Sequence, residues 1–144
     1  MDVGNVWHLD IPTESELRLL ATISAPAVVS IYLPTTPISK DAAADAWVLN
    51  NLVKEAMIAV RQQLELPRCD DENIEQQLLD LVDDEDFWAH QSHGLGVITT
   101  ADGQWTFRLP HRPNAQFHVD DKAHLLQLIA ATDVQDAHVL CLPC

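Results

Sequence analysis

The 144-residue chain carries 47% hydrophobic residues and no long low-complexity run, which suits one compact domain with a sizeable core. Its formal charge of −14, from 22 acids against eight Lys and Arg, argues against unaided binding to nucleic acid or an anionic membrane, because a polyanion must be met by clustered bases. No apolar run approaches the roughly 20 residues of a membrane span. The opening Met1-Asp2-Val3-Gly4 lacks a basic, apolar leader and three cysteines form no even framework, so a cytoplasmic chain with reduced thiols is expected.

Thr13-Glu14-Ser15-Glu16 fits a capping box, and Leu17, Leu20 and Ala21 give the helix that follows, to about Thr22, an apolar face. Val28-Val29-Ser30-Ile31-Tyr32-Leu33, opened by Pro26 and shut by Pro34, reads as a buried strand and the centre of the sheet. Two prolines and three hydroxyls in Pro34-Thr35-Thr36-Pro37-Ile38-Ser39 make an exposed loop. From Asp41 to Leu64, Ala46, Leu49, Val53, Ala56, Val60 and Leu64 step by three and four, joined by Trp47, Leu52 and Met57, the pattern of a long amphipathic helix.

Leu66-Pro67 breaks that helix, and Asp70 or Asp71 caps the next, with Ile74, Leu78, Leu81 and Val82 as its stripe. Phe87 and Trp88 return to the core after Asp83-Asp84-Glu85-Asp86. Gly94 to Thr100 and Gln104 to Leu109 flank an Asp102-Gly103 turn and predict an antiparallel hairpin, with Trp105 and Phe107 on one face. Gln116-Phe117-His118-Val119 is a fourth strand, Asp120 or Asp121 caps a helix reaching Ala131, and Ala137 to Leu142 is a last strand. The expected fold is α/β in the α+β sense: a mixed four- to five-stranded sheet packed by a long helix and two or three shorter ones. Ile31, Leu33, Val97 and Ile98 are expected at its core, with the long helix on them through Leu49, Val53 and Val60, and Trp47, Trp88 and Trp105 on apolar faces.

Groups that could carry chemistry are few. His90-Gln91-Ser92-His93 and Cys141-Leu142-Pro143-Cys144 hold two histidines and two cysteines, the ligand set of a structural zinc site, but on a strand end they read as a buried Cys141 and a frayed Cys144, and no metal or other cofactor is expected. The acids Asp80, Asp83, Asp84, Glu85 and Asp86 have no glycine where a calcium loop would turn and read as a solvated helix end. Ser30, Ser92, Cys69 and seven histidines supply material for a nucleophile and base, yet no G-x-S-x-G elbow or Gly-rich phosphate loop occurs among four glycines, so the chain alone is not expected to be an enzyme.

Taken in order, Val29 to Pro34, the helix Leu49 to Leu64, Asp84-Glu85-Asp86-Phe87-Trp88-Ala89-His90-Gln91-Ser92-His93-Gly94-Leu95, Phe117 to Leu125 and the strand at Val139 resemble the N-terminal domain of the archaeal and eukaryotic class-one peptide chain release factors, and more closely its bacterial relatives. The resemblance covers nearly the whole chain and implies helices packed on a four-stranded sheet, a domain that reaches into the ribosomal decoding site, and a following domain with a Gly-Gly-Gln loop. Residues 1–134 would then be the release-factor-like domain and 135–144 the start of the next, so the natural protein is expected to continue. The family's Asn-Ile-Lys-Ser tetrapeptide has no counterpart, its nearest exposed equivalents being Thr35 to Asp45, with Ile38-Ser39-Lys40, and the Leu64 to Asp71 turn.

The implied function is a non-catalytic binding module that contacts the ribosome in termination, rescue or hibernation; the alternative is an acidic protein-interaction or regulatory domain without ribosome binding. Ten of the acids lie between Glu65 and Asp86, where Arg68 is the only base, so ribosomal RNA should be met instead by the loop carrying Thr35, Thr36, Ser39 and Lys40. With Lys40 nearly alone there, this chain by itself should bind nucleic acid weakly or not at all.

Overall fold

A computed structural model describes residues 6–9, 14–35, 42–63, 68–89, 91, 93–110, 112–125 and 128. In chain order they form β1 (Val6–Leu9), α1 (Glu14–Ala21), β2 (Ser24–Pro34), α2 (Ala42–Gln63), α3 (Arg68–Val82), α4 (Glu85–Ala89), β3 (Gly94–Thr100), β4 (Gly103–Leu109) and β5 (Gln116–Lys122). The strands make one five-stranded sheet in the order β1-β4-β3-β2-β5. β1 runs parallel to β4 and every other neighbour is antiparallel, so the fold is α+β on a mixed sheet, as the sequence predicts.

Every residue of β2 from Ala27 to Leu33 is buried, because the strand lies between β3 and β5 and is covered on both faces. Alternation along it sorts the core into two halves. Val29, Ile31 and Leu33 join Val97, Leu49, Val53, Val60, Ile74 and Leu78 under α2 and α3. Val28 and Tyr32 point the other way, into a cluster with Leu20 of α1, Ile98, Phe107, Leu109 and Leu128. Ile98 is therefore buried as expected but not beneath the long helix; it belongs to the opposite face, one residue out of phase with Val97. Trp105 and Phe107 share that face, as their spacing predicts.

α2 carries Asp45 in its first turn and Arg61 in its last, each at the end of the helix dipole that suits its charge. Arg61 also reaches α3, with Nη2 2.8 Å from Glu75 Oε1 and Nε 3.4 Å from Asp71 Oδ2. α3 begins at Arg68 rather than at an aspartate cap, which leaves Asp70 and Asp71 within its first turn. Asp84 caps α4: its Oδ1 accepts from the Phe87 N–H at 3.0 Å, and Trp88 folds back to donate its indole N–H to the Leu81 carbonyl at 2.9 Å.

Two further expectations are corrected. The chain does not turn helical at Asp120 or Asp121, since β5 continues through Lys122 and pairs Val28 with Asp120 and Ser24 with Lys122. The ladder to β2 overrides the capping preference of the aspartates. Trp47 is not in the core; it is 66% exposed, one residue round the helix from the half-buried Ala46 that packs on the core. Thr13, the helix toward Ala131 beyond Leu128, and the strand Ala137 to Leu142 lie outside the described residues.

Candidate functional site

The loop expected to meet RNA begins differently from its sequence reading. Thr35 is buried, not exposed. Its N–H donates to the His93 carbonyl at 3.1 Å and its own carbonyl accepts from Arg112 Nη1 at 3.0 Å, so it is fastened just past the end of β2. Thr36, Ser39 and Lys40 lie outside the described residues, as do His90, Cys141 and Cys144 of the histidine and cysteine pairs. Among the described residues no group of three potential metal ligands comes together.

α2 holds two large apolar side chains out to solvent on its outer side. Trp47 is 66% exposed and Ile58, about three turns on, is 54% exposed, with the exposed Lys54 between them about two turns from Trp47. The apolar period of α2 accounts for Leu49, Val53, Ala56 and Val60 on the buried side, which leaves these two large side chains without a partner in the core.

A second cluster, which sequence reasoning missed, forms on the opposite face of the sheet. Ser30 pairs with His118 and Tyr32 with Gln116 across β2 and β5, so all four side chains project to the face away from α2. Beyond Lys122 the chain crosses back over β2. There the His124 N–H donates to Ser30 Oγ at 3.0 Å, and the Tyr32 hydroxyl donates to the His124 carbonyl. The His124 ring stacks on His118 with centroids 3.6 Å apart and planes 11° apart, and meets the edge of Tyr32 at 6.1 Å. His118 Nε2 lies 2.8 Å from Gln116 Oε1.

A cleft of about 380 Å³ wraps round β5 beside this pair, with Ala59 and Phe117 on the α2 side and His118, Asp120, Lys122 and His124 completing it. Burial pushes the Tyr32 hydroxyl far above its ordinary range, so it stays protonated and a donor. Burial, and then the neighbouring His124, hold His118 below the ordinary imidazole range. Two hydroxyls and two imidazoles in one place are the raw material of a nucleophile and base, but both hydroxyls here are engaged with the backbone of His124. The arrangement fastens residues 123–125 to the sheet. The signal available in the sequence was Ser30 and Tyr32 alternating with Val29, Ile31 and Leu33, which marks a second strand face of different chemistry.

These features define an α+β domain with helices on both faces of a mixed sheet, a fastened polar cluster on one face and an exposed aromatic on the other. No family model and no curated protein matches the chain. Among solved structures it is similar to an "Archaeal protein" with a TM-score of 0.53 at 18% identity, over 79% of this chain and 33% of the other. That likeness is one of fold, and the chain spans about a third of the length of the protein it matches.

Proposed function

We propose that the chain is the binding module of a release-factor-like protein, contacting the ribosome or the translation machinery in termination, rescue or hibernation without catalysing a reaction itself. The observation that carries this reading is the exposure of Trp47 close to the start of α2. An indole held out to solvent on a rigid helix offers a face on which a base or an apolar ribosomal side chain can stack. The helix opens directly after the segment with Thr36, Ser39 and Lys40, so hydroxyls and an ammonium that can meet phosphates stand beside it in the chain. The engagement of Ser30 and Tyr32 with the His124 backbone supports a binding role over a hydrolytic one.

The test is ribosome co-sedimentation of this chain and of a longer natural form, each also as Trp47→Ala and Lys40→Glu. Weak pelleting by the short chain, tighter pelleting by the long one, and loss in both variants are expected. If the long form fails to pellet at all, the domain works instead as an acidic protein-interaction module. Tight binding by the short chain that ignores both substitutions would place the contact elsewhere.

A further inference from the structure

His124 is held to the sheet in two different ways. Its backbone is fixed from both sides, by Ser30 Oγ on the N–H and by the Tyr32 hydroxyl on the carbonyl. Its ring is held by the stack on His118, at a centroid separation of 3.6 Å. Two neutral imidazoles stack comfortably at that distance. Two imidazolium ions repel, and in a partly buried site the repulsion is poorly screened by salt.

The surroundings offer little to compensate a second proton. Among the described residues that line the cleft, Asp120 and Lys122 of β5 carry charge, and α2 contributes the uncharged Ala59. The Asp120 carboxylate already accepts the Asp121 N–H at 2.7 Å, and that bond, then a hydrogen bond with the Asp121 side chain, and last the charge of Lys122 hold it below the usual carboxylate range. From β2 come the neutral Ser30 hydroxyl and the Tyr32 hydroxyl, which burial keeps protonated. Gln116, on the far side of His118, is neutral.

We propose that the His118–His124 stack is an acid-sensitive latch, closed while the rings are neutral and released when protonation drives them apart, which frees residues 123–125 from the sheet and widens the cleft at β5. The direction agrees with the environment of His118, whose burial and proximity to His124 favour the neutral ring. A histidine with a folded pKa below its unfolded value takes up protons on release. The latch therefore contributes its full stability above the unfolded value of about 6.5 and loses it as the pH falls toward the folded value.

Amide hydrogen exchange at His124, read by NMR on the 144-residue chain and corrected for intrinsic rates, tests this directly. Between about pH 7.5 and about pH 5, protection of that amide should fall by about tenfold or more while β3 amides such as that of Ile98 hold steady. In His118→Phe, which keeps a flat ring for stacking but has no proton to gain, His124 protection should be level across the range. Protection independent of pH in the parent chain, an equal fall in His118→Phe, or a parallel fall in β3 overturns the latch. If that variant does not fold, the ring C–H shifts of the parent chain decide. A His118 titration below the free imidazole value, coincident with the loss of His124 protection, is expected, and one at or above that value refutes the proposal.

Discussion

Tyr32 and Gly96 face each other across β2 and β3, and a methyl group on Gly96 would lie 2.9 Å from Tyr32 Cε1 and 3.2 Å from Cδ1. Carbon atoms do not pack that closely, and the ring has little freedom to retreat because it is fully buried and its hydroxyl is tied to His124. Gly96→Ala should therefore cost about 1–3 kcal/mol in urea unfolding. Adding Tyr32→Phe removes the tether and lets the ring shift, so the double variant should lose less than the sum of the two singles. A Gly96→Ala chain within about 0.5 kcal/mol of the parent would show that Tyr32 does not pack there.

Tyr32→Phe alone keeps the ring and deletes one donor. The His124 carbonyl then lacks its partner in a partly buried place, a loss of about 1–3 kcal/mol. Ser30→Ala removes the acceptor for the N–H of the same residue. Because both act on one strap, their effects should couple in a double-mutant cycle, and strict additivity would mean that the two bonds hold independent segments.

Ile31 lies fully buried opposite Val97, in the cluster that α2 covers. Truncation to alanine should cost about 2–5 kcal/mol in denaturant melts. A cost under about 1 kcal/mol would contradict the close packing of β2 beneath the helix.

Trp47 gives the opposite expectation. With two-thirds of its surface in water, Trp47→Ala should leave stability within about 0.5 kcal/mol of the parent while weakening ribosome pelleting. Acrylamide should quench its fluorescence readily, and Trp47→Phe should lower the quenchable fraction of the emission, since Trp88 is only 4% exposed and Trp105 is half-buried. A blue-shifted, protected Trp47 would mean that something covers this face.

Local pattern made most of the fold legible. The three-and-four spacing from Ala46 to Val60 predicts α2 within a residue or so of its ends, Ala42 and Gln63, and the Asp-Gly signal predicts the β3–β4 hairpin, although the turn falls on Ala101-Asp102 and Gly103 pairs with Thr100. What escaped was set by distant partners. Val6–Leu9 is too short to announce itself and becomes a strand because β4 pairs with it in parallel. Asp120 and Asp121 read as caps, yet β2 keeps them extended. Periodicity identifies which residues recur on a helix but not how wide the buried arc is, so the pattern does not reveal that Trp47, adjacent to that arc, stays in water. The His118–His124 stack is illegible in the sequence because the two rings meet only after the chain recrosses the sheet, and the burial of Thr35 is illegible because nothing local shows that His93 and Arg112 hold it.

The pairings at the two edges of the sheet join Val6 to Gln104 and Ser24 to Lys122, most of the length of the described chain apart. A growing polypeptide emerges N-terminus first, so β1 and β2 leave the exit tunnel long before their neighbours have been made. The α2–α3 pair, tied by Arg61 to Asp71 and Glu75, is local in sequence and can form early. β2, with seven consecutive residues that end buried, must wait with its apolar side chains bare. That interval makes β2 the segment a nascent-chain chaperone would grasp first, and closure of the sheet the slow, final event of folding.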